Sequence, residues 1–183
     1  EFLYSPAGVT VAGWDLVSGE VNTMGIGATN VPWLTAPYEG QRFLDINGDM
    51  LGGRLQTNIA TVPGREYRVT YAYAWNPASP RNTTAEVRVL DQMQSLLTAA
   101  LVSPPDGFPG VWATNIFNFT ATTDQSILEI ASRSAGVGTN LAAGVFFDAV
   151  LVEQVTVSIQ QGIYIQPEEP LTPFRGENAF GDW

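Results

Sequence analysis

The sequence predicts an all-β protein, an antiparallel, jelly-roll-like β-sandwich that carries an extended C-terminal arm. Three observations carry that expectation. Apolar and polar residues alternate with a period of two in run after run, the spacing that puts one face of a strand in a core and the other in water. Clusters of Gly, Pro, Asn and Asp interrupt those runs at intervals of about ten residues, as short antiparallel strands require. Sustained helical periodicity is missing throughout.

The clearest run is Glu66 to Trp75, "EYRVTYAYAW". Tyr67, Val69, Tyr71, Tyr73 and Trp75 share one face; Glu66, Arg68, Thr70, Ala72 and Ala74 share the other. A face this aromatic and β-branched predicts burial against a second sheet; were it exposed instead, Tyr67, Tyr71, Tyr73 and Trp75 would form a stripe able to cover the C–H face of a sugar. "AEVRVL" (85–90) repeats the pattern, with Val87 and Val89 opposite Glu86 and Arg88. "VWATNIFNFTAT" (111–122) and "SILEIAS" (126–132) follow it. "GVFFDAVLVEQVTVSI" (144–159) is more continuously apolar and predicts a central strand. "DQMQSLLTAAL" (91–101) fits a short helix or a strand pair equally well. "NGD" (47–49), "VPGRE" (62–66), "NPASPRN" (76–82) and "SPPDGFPG" (103–110) are turn signals. The composition shifts after about residue 160. "PEEPLTP" (167–173) packs three prolines and two glutamates into seven residues. Proline fixes φ and removes a ladder donor, so the segment predicts a linker or arm. The predicted organisation is a sandwich over 1–159, then an arm or the start of a further module over 160–183.

Composition narrows function. The 183 residues, 45% apolar, suffice for a sizeable core, since a domain near 150 residues buries about 70% of its surface. No cysteine is present, so neither disulfides nor thiolate metal sites contribute. The net charge is −10 and every one of the eight basic residues is Arg. Such a chain repels phosphate backbones and anionic bilayers, which argues against nucleic acid as a partner. No apolar run reaches the roughly 18 residues of a membrane-spanning helix, and no signal-peptide pattern opens the sequence. Without His or Cys, a Ser-His-Asp or Cys-His arrangement and a His-ligated zinc are out of reach. A two-carboxylate glycosidase remains chemically open, but nothing fixes Glu39, Asp45 and Asp49 at the separations that chemistry needs. The expectation is a protein that is not an enzyme. "NTT" (82–84) and "NFT" (118–120) match the N-glycosylation pattern, which matters only in a glycosylating secretory host.

Several segments line up in order: "AGWDLVSGEVN" (12–22), Trp33, "YEGQRFLDINGD" (38–49), "GRLQTNIATVPGREYRVTYAYAWNP" (53–77), Trp112, "FNFTATTDQSILEI" (117–130) and "FFDAVLVE" (146–153). This order resembles the bacterial choice-of-anchor C domain and the related plant cell-wall domain-of-unknown-function family, both built on galactose-binding-like modules. The resemblance covers roughly residues 1–155. Two departures stand out. Ala149 replaces the Asn that usually follows the closing Asp, here Asp148. The usual opening strand, Asn-Gly-x-Phe-Glu, is expected to be absent or clipped at Glu1-Phe2. The tail "PEEPLTPFRGENAFGDW" resembles the last third of a proprotein-convertase-type P domain.

The resemblance implies a non-catalytic module at the cell surface or outside the cell, acting by adhesion or carbohydrate binding on a polysaccharide or cell-wall surface. Aromatic rings suit the apolar C–H faces of sugars. Trp33, Tyr38 and Trp112 lie in or beside loops and are the candidate contacts. The resemblance also implies a possible structural calcium near the chain ends, with Glu1, Asp148 and Glu153 as candidate ligands. "DINGD" (45–49) itself fails the EF-hand template: glycine stands fourth, not sixth, and Gln56 holds the twelfth position where Glu belongs. The alternative function is a structural subunit of an extracellular filament or assembly. Its arm would dock on a neighbouring copy through Phe174, Phe180 and Trp183, across an edge left open by the missing first strand.

Overall fold

The structure is a computed structural model, and it describes residues 2–25, 36–48, 52–76, 83–103, 111–133 and 144–156. Twelve strands and no helix are found among the described residues: β1 Phe2–Pro6, β2 Thr10–Val11, β3 Trp14–Ser18, β4 Glu20–Gly25, β5 Arg42–Asp45, β6 Arg54–Ala60, β7 Glu66–Trp75, β8 Ala85–Asp91, β9 Leu96–Val102, β10 Ala113–Thr120, β11 Gln125–Ser132 and β12 Val145–Gln154. They form two six-stranded antiparallel sheets. The first runs β1-β4-β5-β12-β7-β10 and the second β2-β3-β6-β11-β8-β9. The all-β sandwich is therefore observed, and β12 takes the interior position its apolar sequence predicts.

Alternation explains the packing. Tyr67, Val69 and Tyr71 of β7 are buried, with Tyr71 and Val69 at 0% exposure. They meet Val87 and Val89 of β8, Leu128 and Ile130 of β11 and Leu55 of β6 in one core between the sheets. Each such side chain contributes roughly 1.5–3 kcal/mol when fully buried. Two polar atoms on this aromatic face are satisfied: Val62 donates its amide to the Tyr67 hydroxyl, and Asn115 Nδ2 donates to the Tyr71 hydroxyl. Burial pushes the Tyr71 hydroxyl up to about 12, with the Asn115 bond pulling it down and the charge of Tyr73 adding to the rise.

The segment 91–101 resolves as a strand pair. Asp91 ends β8, and its Oδ1 accepts from the amides of Met93 and Ser95, each at 2.8 Å. That side-chain turn reverses the chain into β9. A connection between the sheets matters more for the layout. Gly19 joins β3 in the second sheet to β4 in the first with φ of 72°. A Cβ there would sit 2.0 Å from the carbonyl oxygen of Gly52, so only glycine lets the chain change sheets at this point.

The opening strand is a correction to the sequence-based expectation. Phe2–Pro6 pairs antiparallel with β4 over five residues, from Phe2 opposite Met24 to Pro6 opposite Glu20. An opening strand is therefore present, supplied by the chain itself, and it covers the edge of β4. Proline is tolerated there because an edge strand need not donate on its outer side.

Candidate functional site

The outer face of the first sheet carries the side chains that β7 leaves out of the core. Register places them in rows. Asp148 of β12 lies opposite Ala72 of β7, and Ala72 lies opposite Thr114 of β10. Leu151, Thr70 and Ile116 form the next row; Glu153, Arg68 and Asn118 form the one beyond. Leu151 is 53% exposed and Ile116 58%, so two large apolar side chains flank a small floor residue in open solvent. The third row is polar. An Arg68 guanidinium nitrogen lies 3.8 Å from Glu153 Oε1, and Asn118 donates to Glu66 across the β7–β10 pair.

At the other end a ladder of rings climbs from the sheet to the surface. Phe146 and Phe43 meet edge to face at 4.8 Å between centroids, Phe43 meets Trp112 at 5.5 Å, and Trp112 meets Tyr38 at 6.2 Å. Trp112 is half-buried and donates its indole N–H to the Ala36 carbonyl at 2.9 Å. It packs against the small cluster of Met24, Phe43, Ala74 and Phe146. Tyr38 stands at the top, 49% exposed. Of the three loop aromatics singled out from sequence, Tyr38 and Trp112 are thus brought into contact. Trp33 lies outside the described residues, as do Phe174, Phe180 and Trp183.

Asp148 fixes this arrangement. Its Oδ2 accepts from the amides of Tyr38 at 2.8 Å and Glu39 at 3.2 Å, and its Oδ1 accepts from the amide of Ala149. One carboxylate on β12 therefore clamps the backbone of the Tyr38 loop onto the sheet, a bond between residues 110 apart in sequence. No pattern in the sequence signals such a link, because the two partners meet only when β12 and the loop are packed together.

The proposed calcium ligands distribute differently from the expectation. Glu1 lies outside the described residues. Asp148 is taken up by three amide donors, and Glu153 faces Arg68. The two acids are five residues apart on β12, roughly 16 Å of strand. These described members do not fit a shared calcium. No group of three or more His, Cys, Asp or Glu suited to a metal occurs among the described residues.

Asp45 lies beneath the ring ladder with no exposed surface. Its Oδ1 accepts from the amides of Asn47 at 3.0 Å and Gly144 at 2.8 Å, and its Oδ2 from Asn76 Nδ2 at 2.7 Å. All three donors are neutral. Burial pushes its carboxyl from 3.8 up to about 7, against the downward pull of the bonds from Asn47, Asn76 and Gly144. Gly144 is obligatory here, since a Cβ would come within 2.8 Å of Asp45 Oδ1. Of the carboxylates weighed for glycosidase chemistry, Asp45 is sealed from solvent, Glu39 is exposed, and Asp49 lies outside the described residues. The outer face of the second sheet is different again. Fully buried Glu129 accepts from Arg54, Gln56 and Arg88, and these bonds outweigh its burial and hold its carboxyl below the ordinary range.

No family model matches the sequence, and no curated protein matches it either. Solved structures do share the fold. A carbohydrate-binding module, TmCBM61 in complex with β-1,4-galactotriose, superposes with a TM-score of 0.56 at 15% identity, over 79% of this chain and 90% of its own. The CBM22-1 xylan-binding domain of Paenibacillus barcinonensis Xyn10C superposes with a TM-score of 0.51 at 12% identity, over 85% and 95%. The enzymatically active domain of bacteriophage CBA120 tailspike protein 4 matches at 0.50 and 13% identity, but this chain spans only 20% of that length. At these identities the likeness concerns architecture: the chain folds as a β-sandwich of the kind that carbohydrate-binding modules use.

Proposed function

We propose that this chain is a non-catalytic carbohydrate-binding module that engages polysaccharide on the outer face of its first sheet, beside Tyr38. The observation that carries the reading is the exposed ring of Tyr38, held by the Asp148 clamp at the head of a sheet face where Leu151 and Ile116 stand in solvent. An aromatic ring and aliphatic side chains cover the C–H faces of a sugar; Arg68, Glu153, Asn118 and Thr114 supply donors and acceptors for its hydroxyls. The shared architecture with a galactotriose-bound module and a xylan-binding domain supports the same reading. So does the ordered resemblance to choice-of-anchor C domains, and with it a place at the cell surface or outside the cell. Adhesion follows from the same contacts if the bound polysaccharide is part of a wall.

Affinity electrophoresis in gels containing galactan, xylan or mixed-linkage β-glucan tests the proposal. Retardation by at least one polymer is expected, and Tyr38→Ala is expected to remove about 1–3 kcal/mol of the binding free energy, the value of one stacked ring. Migration unaffected by every polymer, or unchanged retention of the Tyr38→Ala protein, rules the face out.

A further inference from the structure

The two sheets end in four edge strands, and three of them are blunted. β1 ends in Pro6, β2 has only two residues, and β10 sets polar Thr114, Asn118 and Thr120 around Ile116 on its solvent side. The fourth, β9, is different. Leu96–Val102 reads "LLTAALV", seven residues without a charge, a proline or a glycine. Leu96 and Leu101 are 59% and 66% exposed, and Met93 in the hairpin before them is 83% exposed. A long uncharged edge of this kind is a template for another strand, and native proteins rarely leave one open.

The ladder behind β9 decides which of its backbone groups are open. Asp91 donates its amide to the Ser95 carbonyl at 2.9 Å, on the β9 side, and the Thr84 carbonyl accepts from Arg133 at 2.8 Å, on the β11 side. Backbone groups alternate sides along a strand. Val87 and Val89 of β8 therefore serve β9, whereas Glu86 and Arg88 serve β11. Their opposites in β9, Ala100 and Thr98, are bonded to β8, so Ala99 and Leu101 direct amide and carbonyl to the open edge. β9 comes close to β10 at the corner of the sandwich, but no ladder joins them. Outside the β8–β9 ladder, no backbone hydrogen bond involves Leu96–Val102 among the described residues.

A second copy of the chain fits this edge. Two-fold antiparallel pairing sets Ala100 opposite Ala100, Ala99 opposite Leu101 and Thr98 opposite Val102. Large then meets small, the open groups of Ala99 and Leu101 face each other, and the two Leu101 side chains are diagonal neighbours. The charges agree. Behind β9 one row runs Leu101, Glu86, Ala131, Arg54 and the next Ala99, Arg88, Glu129, Gln56. The two-fold continues the first row of one copy into the second row of the other, so acid and base follow one another across the junction. These ions already pair within each copy, and the junction needs no new salt bridge, only the absence of like charges. Arg54, Arg88 and Arg133 outnumber Glu86 and Glu129 in that network. In a chain of net charge −10, two copies thus approach where their mutual repulsion is least.

We propose that β9 is a dimerisation edge, at which two copies of this chain join their second sheets into one continuous antiparallel sheet. The interface is isologous and uses one edge from each copy, so it closes at two and does not grow into a fibre. The Tyr38 loop packs on the other sheet, so the dimer carries two such faces, and bivalence strengthens retention on a polymer without any new contact. The dimer itself does not depend on what that face binds.

Sedimentation velocity of the full chain tests the proposal. At a concentration on the order of 100 μM, which populates even micromolar contacts, twice the mass of the chain is expected. Leu101→Lys and Ala99→Pro are each expected to give the mass of one chain while keeping the wild-type circular dichroism and a cooperative thermal transition. The lysine replaces a side chain that is exposed in the single copy, and the proline removes an amide that the β8 ladder does not use. Either variant alone suffices if the other fails to fold. Val62→Lys, at a position 52% exposed between β6 and β7, is expected to remain dimeric. The chain has no cysteine, so Ala100→Cys reads the register. Facing residues of a non-hydrogen-bonded antiparallel pair lie about 4.5 Å apart, within disulfide reach, and oxidation is expected to yield a covalent dimer. A single-chain mass for the wild type at that concentration overturns the proposal. So does a dimer that survives in either folded β9 variant or is lost equally in Val62→Lys, or a folded, dimeric Ala100→Cys protein that does not crosslink.

Discussion

Replacing Asp45 by Asn should reverse the sign of its effect on stability between acid and neutral pH. The Asp45 carboxyl is fully buried, and its only hydrogen-bond donors in the described contacts are the amides of Asn47 and Gly144 and the side chain of Asn76. Burial raises it from 3.8 to about 7 in the folded protein. The folded state therefore holds a proton that the unfolded chain releases. The stability from this group is fully present below pH 4, declines as pH rises from about 4 to about 7, and is gone above that window. At 1.36 kcal/mol per pH unit, the interval amounts to about 4 kcal/mol. Asn has the same shape, keeps an oxygen for the two amides and never ionises. Its cost is the bond to Asn76, where two donors meet, on the order of 1–2 kcal/mol. Asn22 supplies a compensating acceptor, for it lies opposite Asp45 in the β4–β5 register and its buried Oδ1 has no donor among the described residues. Asp45→Asn should thus be neutral to about 2 kcal/mol destabilising at pH 4 and about 2–4 kcal/mol stabilising at pH 8. Urea unfolding followed by tryptophan fluorescence at intervals from pH 4 to pH 8 measures it. Taking the difference between wild type and variant cancels the other acids, whose slopes run the opposite way. A difference that stays flat from pH 5 to pH 7.5 refutes the argument, whatever its absolute value.

Two further substitutions probe the backbone and the second sheet. Ala149→Asn should raise stability by about 0.5–1 kcal/mol in urea or thermal unfolding, because Asn tolerates the left-handed conformation that Ala149 adopts and, unlike Gly, adds little freedom to the unfolded chain; a loss of stability would show that this bulge of β12, where the register shifts between Asp148 and Leu151, needs a small side chain more than it needs relief. Glu129→Ala should cost about 2–4 kcal/mol, since it strands Arg54 and Arg88, whose side chains are 36% and 24% exposed, on a crowded face. Because the Glu129 carboxyl is held below its ordinary range, its contribution is present at neutral pH and lost on acidification, so the penalty of Glu129→Ala should shrink as pH falls below about 4.5.

How much was legible in the sequence depends on which side chain did the signalling. β7 was readable to the residue, because "EYRVTYAYAW" alternates for ten positions and both its faces have unambiguous chemistry. β8 was readable for the same reason. The opening strand was not. "FLYSP" lacks alternation and contains proline, and its pairing with β4 is settled by the partner strand. "DQMQSLLTAAL" was ambiguous because a short apolar run fits either period, and the side-chain turn of Asp91 decided for a strand pair. At the candidate site, Tyr38 and Trp112 were found by their place beside loops, whereas Ile116 and Leu151 were not, since an apolar residue in a strand announces burial until the second sheet is known to lie on its other face.

By itself, then, the sequence determined the class of fold, most of the strands, and the exclusion of His- or Cys-based chemistry, because alternation and composition are local properties of a chain. The contacts of Asp148 with the Tyr38 loop, the sealing of Asp45 and the open edge of β9 were decided only by tertiary structure. Each depends on which strands become neighbours and which face turns inward, and that choice minimises exposed apolar surface over the whole domain, leaving no trace in any single segment.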